Sequence, residues 1–338
     1  MLRFVAHRVA LGIVVVAGVV VLTFALARVV PGDPAASWVG PHASPAQLAS
    51  ARHLLGLDRP LPVQIADYFQ GIWTGDWGIS IHTKRPVLSD IGTAAPASLE
   101  LVGAAIVLAL AAGIPLGLVS ARFAGKAPDG LIRLVSVFSV SMPIFWLALI
   151  LQLVFFQRLH WFPVASEYDP NLHYSHPLAV HTHMPTVDAL VTANWAVLWN
   201  SLWHLVLPAV AVAAYPAGLI TRMVRASVLD ELGHDHVRMA RALGFSERSV
   251  LARFALRPAL NPVIAIVALV FAYSLVNTFL VEAIFDWPGL GSYAADSIQS
   301  LDTPSIIGVT LFIALVYVAS NLVVDVLQAA VDPRIRLR

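Results

Sequence analysis

The side chains able to do chemistry are few and scattered. Five histidines, His160, His173, His176, His181 and His183, share one stretch. Imidazole is a common ligand for zinc, nickel and copper. No two of the five stand four apart, the spacing that puts two ligands on one helix face, and the chain has no cysteine. No metal site is therefore assigned, and the stretch reads as a polar loop. Without cysteine there are no disulfides and no thiol nucleophile. Neither Ser-x-x-Lys nor His-Glu-x-x-His occurs, and no pair of carboxylates sits in a plausible catalytic context. No glycine-rich nucleotide loop is present. The chain is expected to be non-catalytic and to bind no cofactor. Any ATPase would therefore have to be a separate polypeptide.

The remaining polar candidates lie in or beside apolar segments, where ionisable groups are costly and usually face the bundle interior. Glu100 is placed to line a pathway or touch a partner helix, or simply to sit at the membrane boundary. Asn277 and Thr278 interrupt a later apolar run and can hydrogen-bond across helices, as can Ser136, Ser139 and Ser141. Asp325, about one turn from Asn321, reads as a structural contact. Pro288, Gly289 and Gly291 enforce a turn. In it Asp286 reads as the most exposed charge and Trp287 as an interfacial ring. Trp195, Trp199 and Trp203 read as an interfacial stripe on a short helix.

The elements that hold these residues follow from composition. Of 338 residues, 58% are hydrophobic and 12% charged, against about a quarter charged in soluble proteins. Net charge is +1, so no nucleic-acid partner is implied. Six runs are long enough for a hydrocarbon core of about 30 Å. They are 9–30, 96–121, 134–157, 204–223, 262–283 and 305–330. The first is too long for a cleaved signal segment and is read as a retained anchor. Pro115, Pro143, Pro208 and Pro216 predict bent spans packed in a bundle. Gly103, Ala104, Gly113 and Gly117 would let helices approach closely. With the N-terminus inside, the inner segments hold fifteen Lys and Arg and the outer segments five. Both termini are therefore expected in the cytoplasm. The chain divides into 1–30 (start and first span), 31–95 (an outer segment, helical near 45–55 and 62–73) and 96–338 (a five-helix core containing an inner loop, 224–261).

That loop carries the sharpest pattern, HDHVRMARALGFSERSVLARFALRPALNP from His234 to Pro262. A helix over about 227–243 is predicted to stop at Gly244, which tolerates positive φ. Ser246 caps a second helix, with Glu247 in its first turn. Val237, Ala240, Leu243 and Phe245 form a narrow apolar side, with Arg238 and Arg241 charged beside it. Two readings stand on the residues alone: docking into a groove on a partner protein, or lying on anionic lipid.

The segment resembles the loop that marks transmembrane subunits of bacterial ABC importers. The family pattern is Glu-Ala-Ala, three residues, Gly, nine residues, then an apolar residue, a spacer and Leu. Gly244, Phe254 and Leu256 fit it. The Glu-Ala-Ala positions read Arg238-Met239-Ala240, a departure usual in the peptide branch. PGDP at 31–34, LLGLDRPLPVQ at 54–64, GDWGIS at 75–80, RPV at 85–87, ASLELV at 97–102, FPV at 162–164, EAIFDWPGLG at 282–291 and NLVVDVLQAAVDPRIR at 321–336 resemble, in order and spacing, the B-type permeases of dipeptide and oligopeptide importers.

The resemblance implies an all-α integral membrane protein with six transmembrane helices, the type I importer permease fold and a helical outer insertion after the first helix. It implies a coupling helix contacting the ATPase through His234, Asp235, Val237, Arg238, Ala240, Arg241, Gly244 and Phe245. Glu100, Asn277, Asp286 and Trp287 are candidates for pathway or partner contact. Expected partners are a second permease, two ATPase subunits that hold the ATP and Mg, an extracytoplasmic binding protein, membrane lipid and a peptide substrate. Nickel or glutathione are alternative substrates. A stand-alone secondary carrier is the rival class, although Glu100 and Asp325 make a sparse proton relay. The expected location is the bacterial inner membrane.

Overall fold

The computed structural model describes residues 2–29, 33–40 and 42–331, with side chains for 6–26, 33–40 and 42–323 apart from 265 and 268. The side chains of Arg3, Arg28 and Asp325, and the whole of Pro31, Gly32, Arg334, Arg336 and Arg338, lie outside that set. Among the described residues the chain is helical, and its single β-type contact is an isolated bridge between Ile79 and Pro86.

The first apolar run forms α1 (Leu2–Val29). Three short helices then build the insertion: α2 (Pro34–Val39), α3 (Pro45–Leu54) and α4 (Leu61–Thr74). Their ends are written locally. Asp33 caps α2, and its carboxyl is held below its ordinary value, chiefly by the hydrogen bond from Arg52. Ser44 and Gln47 form a reciprocal capping box on α3. Gly75, at φ +80°, ends α4. The second and third lie where sequence places helices at 45–55 and 62–73; α2 was too short to show as a periodic run.

Two long helices form the centre, α5 (Val87–Arg122) and, later, the helix from Trp195 to Leu232. Between them α6 (Ala127–Ser141) and α7 (Ile144–Leu151) continue into a π-helical segment, Gln152–Arg158. The predicted third span, 134–157, is not one rod, because the chain bends by 106° between its two arms. Met142 is extended (ψ 130°) ahead of Pro143. The proline ring disfavours the α region for the residue before it, so the helix stops there. Short α8 (Leu172–Ser175) and α9 (Pro185–Val191) follow, then the Trp195–Leu232 helix, α10.

At 38 residues α10 is about 57 Å long, far more than the span 204–223 expected from apolar length. Its ends are polar or aromatic, so no apolar window reveals them. The three tryptophans thus begin a long helix rather than forming a short one. Gly113 of α5 leaves no room for a Cβ against Ile220 and the Ala217 carbonyl, and Gly117 none against Val224 and the Thr221 carbonyl. Contact positions rise together along the two helices, so α5 and α10 run parallel. Gly103 has nothing near it and does not serve this approach.

The chain breaks at Gly233 and forms α11 (Asp235–Ala242), α12 (Glu247–Ser249), a π-helical stretch Val250–Ala255 and α13 (Leu256–Ala259). Then come α14 (Asn261–Phe285), α15 (Leu290–Gln299) and α16 (Thr303–Val331). Among the described residues five helices are long and apolar enough to cross a membrane, and the bent α6–α7 pair makes a sixth if counted as one span. The main core lies between α5, α7, α10 and α14. We call the end with Arg122 and Arg225 the basic end, and the end with Val87 and Trp195 the opposite end.

Candidate functional site

At the basic end α11 is set off from α10 by the break at Gly233, not continuous over 227–243 as the sequence suggested. Its stop is as expected: Gly244 has φ +82°, and Ser246 accepts from the Ser249 N–H at 3.4 Å. Val237 and Ala240 are buried against Val250, Leu232 and Phe254 of the same chain. The expected apolar side therefore divides. Two residues fasten the helix internally, while Leu243 and Phe245, joined by Met239, face out at 66%, 42% and 64% exposure. Arg241 makes a bidentate pair with Glu247 at 2.9 and 3.3 Å. Arg238 reaches the Gly233 carbonyl at 3.1 Å and Asp235 at 3.4 Å. His236 lies 3.1 Å from the Phe254 carbonyl, and His234 lies 3.0 Å from that of Asp230. The result is a braced helix that presents a small apolar surface ringed by charge.

Beneath it, Arg225 of α10 donates to both carboxylate oxygens of Asp129, at 2.7 and 2.8 Å. Ser120 and the Gly125 N–H also donate to Asp129. One buried carboxylate thus ties the α5–α6 corner to α10 on the approach to the loop.

At the opposite end a cavity of about 560 Å³ opens between the N-terminal part of α5, the 159–184 loop, α9 and the turn after α14. Glu167, Asp188, Asp286, His173, His183 and Tyr168 give it polar walls. Asp286 is exposed, as expected, and has φ +48°. Glu100 is nearly buried. One of its oxygens accepts from the Thr186 N–H and hydroxyl, and the other has no partner. Glu167 has a buried oxygen without a partner as well. Burial, with the Glu100 charge adding, pushes its carboxyl up to about 8. The loop histidines form no metal cluster among the described residues.

Two expectations are corrected here. Trp287 is not an interfacial or partner-facing ring: it is 1% exposed, and its indole N–H donates to the Ala97 carbonyl at 2.9 Å. Asn277 does not bond across helices: its amide donates to the Tyr273 carbonyl of its own helix. Ser136 and Ser139 do likewise, to Ile132 and Val135. In a helix, the carbonyl four residues back is simply the nearest acceptor.

These two ends are joined by a continuous helical frame, and comparison with known proteins gives that frame its meaning. Residues 113–337 match the family model described as binding-protein-dependent transport system inner membrane component, and residues 1–101 match the corresponding N-terminal model. The chain belongs to this family. It is 39% identical over 323 residues to the probable D,D-dipeptide transport system permease protein DdpB of Escherichia coli K12, covering 96% of this chain and 94% of that one. It is 35% identical over 336 residues to the dipeptide transport system permease protein DppB of Alkalihalophilus pseudofirmus, covering 99% and 100%. It is 34% identical over 320 residues to the glutathione transport system permease protein GsiC of Salmonella typhimurium, covering 95% and 94%.

This permease is thus a multi-pass, non-catalytic inner membrane component of an ABC import system. Such a system implies ATPase subunits and a substrate-binding protein. A carrier working alone is excluded by that membership. Several residues of the permease escaped sequence reading. Glu167 and Asp129 carry no local sequence signal that sets them apart, and Met239 occupies a degenerate motif position. Glu282 was only a letter of the EAIFDWPGLG motif.

Proposed function

We propose that this chain forms, with a second homologous permease, the pathway by which an ABC importer carries di- or oligopeptides into the cytoplasm. Near full-length similarity to permeases named for dipeptide systems carries the reading. The basic end, with both termini, lies in the cytoplasm, and the opposite end faces the binding protein. Residues 31–95 form the outer insertion and 96–338 the permease core.

Two ATPase subunits dock on the coupling helices, one on each permease. In this chain the docking face is Met239, Leu243 and Phe245, with His234, Asp235, Arg238 and Arg241 around it. Val237, Ala240 and Gly244 hold that face in place. ATP-driven closure of the ATPase pair moves α11, and alternating access follows from transmission of that motion into the spans. Bracing supports this reading, because a loose helix would absorb the displacement. At the other end the cavity lined by Glu167, Asp188 and Asp286 provides a polar entrance.

Glutathione, itself a small peptide, is the second reading, favoured by the similarity to GsiC. Separate uptake of a labelled dipeptide and of labelled glutathione by the reconstituted importer distinguishes the two. The dipeptide should be imported and glutathione should not. Import of glutathione without import of the dipeptide would assign the second reading.

A further inference from the structure

Glu282 sits in the last turn of α14, and its side chain is fully buried. One carboxylate oxygen accepts from the Ser98 hydroxyl of α5 at 2.6 Å. The other accepts from the backbone N–H of Gly291 at 2.6 Å and of Ser292 at 3.4 Å. The Ser98 oxygen in turn accepts from the Leu290 N–H at 2.8 Å. Leu290, Gly291 and Ser292 open α15, and the first N–H groups of a helix have no partner within it. Side chains from two other helices therefore supply the cap, and a negative group at this position is electrostatically favoured.

The fit is close. A Cβ at Gly289 would meet the Glu282 carboxylate and the Ser98 oxygen, and one at Gly291 would meet the backbone of Phe279. Trp287 closes the other side through its bond to Ala97. Between these anchors only Asp286 and Pro288 are exposed, and both edge the cavity at the opposite end. At its other end α14 follows directly from α13 and from the Val250–Ala255 stretch, on which Val237 and Ala240 of α11 pack.

We infer that Glu282 is a positioning residue for transport: its carboxylate fixes the Asp286–Gly291 turn to α5 and α14, so that displacement entering at α11 reaches the binding-protein face as movement of one body. This rests on the proposed orientation of the importer. Glu282 itself neither touches substrate nor moves a proton. Its task is to accept three or more hydrogen bonds at once, which an amide at this place cannot do.

The test uses the complete transporter in nanodiscs, with Glu282→Gln and Ser98→Ala compared with wild type. Basal ATP hydrolysis and its stimulation by substrate-loaded binding protein are both read. The expected result is basal hydrolysis within twofold of wild type and stimulation reduced at least fivefold in Glu282→Gln. Ser98→Ala, which keeps the carboxylate and removes one bond to it, should show a smaller loss of the same kind. If Glu282→Gln fails to assemble, Ser98→Ala decides. Wild-type stimulation in the assembled variants, or equal loss of basal and stimulated rates, would overturn the inference. A wild-type complex that loaded binding protein does not stimulate would instead strike at the proposed function.

Discussion

Glu167 stores a proton where a glutamate normally has none. Its ordinary value is 4.5, and in the folded chain burial lifts it to about 8. A released loop would ionise near the ordinary value, whereas the packed loop keeps its proton until near 8. Between those limits rising pH favours release, so local stability is greatest below about 4.5 and falls until about 8. One pKa unit corresponds to about 1.4 kcal/mol, so the loss across the window is a few kcal/mol. Hydrogen exchange of residues 159–184 should show protection, corrected for intrinsic rates, falling at least tenfold from pH 5 to pH 8. Glu167→Gln should flatten that dependence; an unchanged slope in the variant would refute it. The sequence could not reveal this group. Glu167 looks like any loop acid until Glu100, far away in the chain, is folded beside it. Glu100 itself was legible, because a carboxylate in an apolar run stands out. So was Gly244, because a helix followed by Gly announces its own end.

For α11, the stop at Gly244 was legible, but its separation from α10 at Gly233 and its facing were not. Eight residues can show an apolar stripe, yet nothing local says which part the chain covers itself. Val250 and Phe254 settle that, and they belong to the next segment. The same limit applies to α15, whose mixed composition gives no long apolar run, and to the ends of α10. Two predictions belong here. Gly244→Val should lower import severalfold while leaving expression and membrane insertion intact. Open space surrounds the missing Cβ, so the harm comes from backbone strain of about 1–3 kcal/mol, which displaces Phe245. Normal uptake in this variant would show that the stop is unimportant. Leu243→Asp should weaken retention of the ATPase subunit by about tenfold or more, since it sets a charge in the centre of the apolar face. A pull-down titration against wild type measures this, and equal retention would relocate the docking face.

In the whole molecule, the parallel α5–α10 pair connects the two ends, and the Asp129–Arg225 pair locks it to α6 at the basic end. Removing one member of such an ion pair is destabilising, because the other charge is left uncompensated. Arg225→Met should therefore lower the thermal midpoint in detergent more than the double change Arg225→Met with Asp129→Leu. A double variant as unstable as the single one would show that the pair contributes only packing. The six-span count was legible from apolar length. The 106° bend was legible only as a proline, since the angle depends on what the second arm packs against. The central claim is that ATP-driven motion enters through α11. Because the chain has no cysteine, a single thiol can be introduced by Leu243→Cys and, as a control in α4, by Trp73→Cys. Each variant is purified from its native membrane with its partners and treated with a short thiol–amine cross-linker. The expected result is that the Leu243→Cys variant joins an ATPase subunit, that the yield of this product changes with ATP, and that the Trp73→Cys variant gives none. An ATPase subunit that co-purifies yet links to neither variant, or that links to the Trp73→Cys control, would contradict the claim.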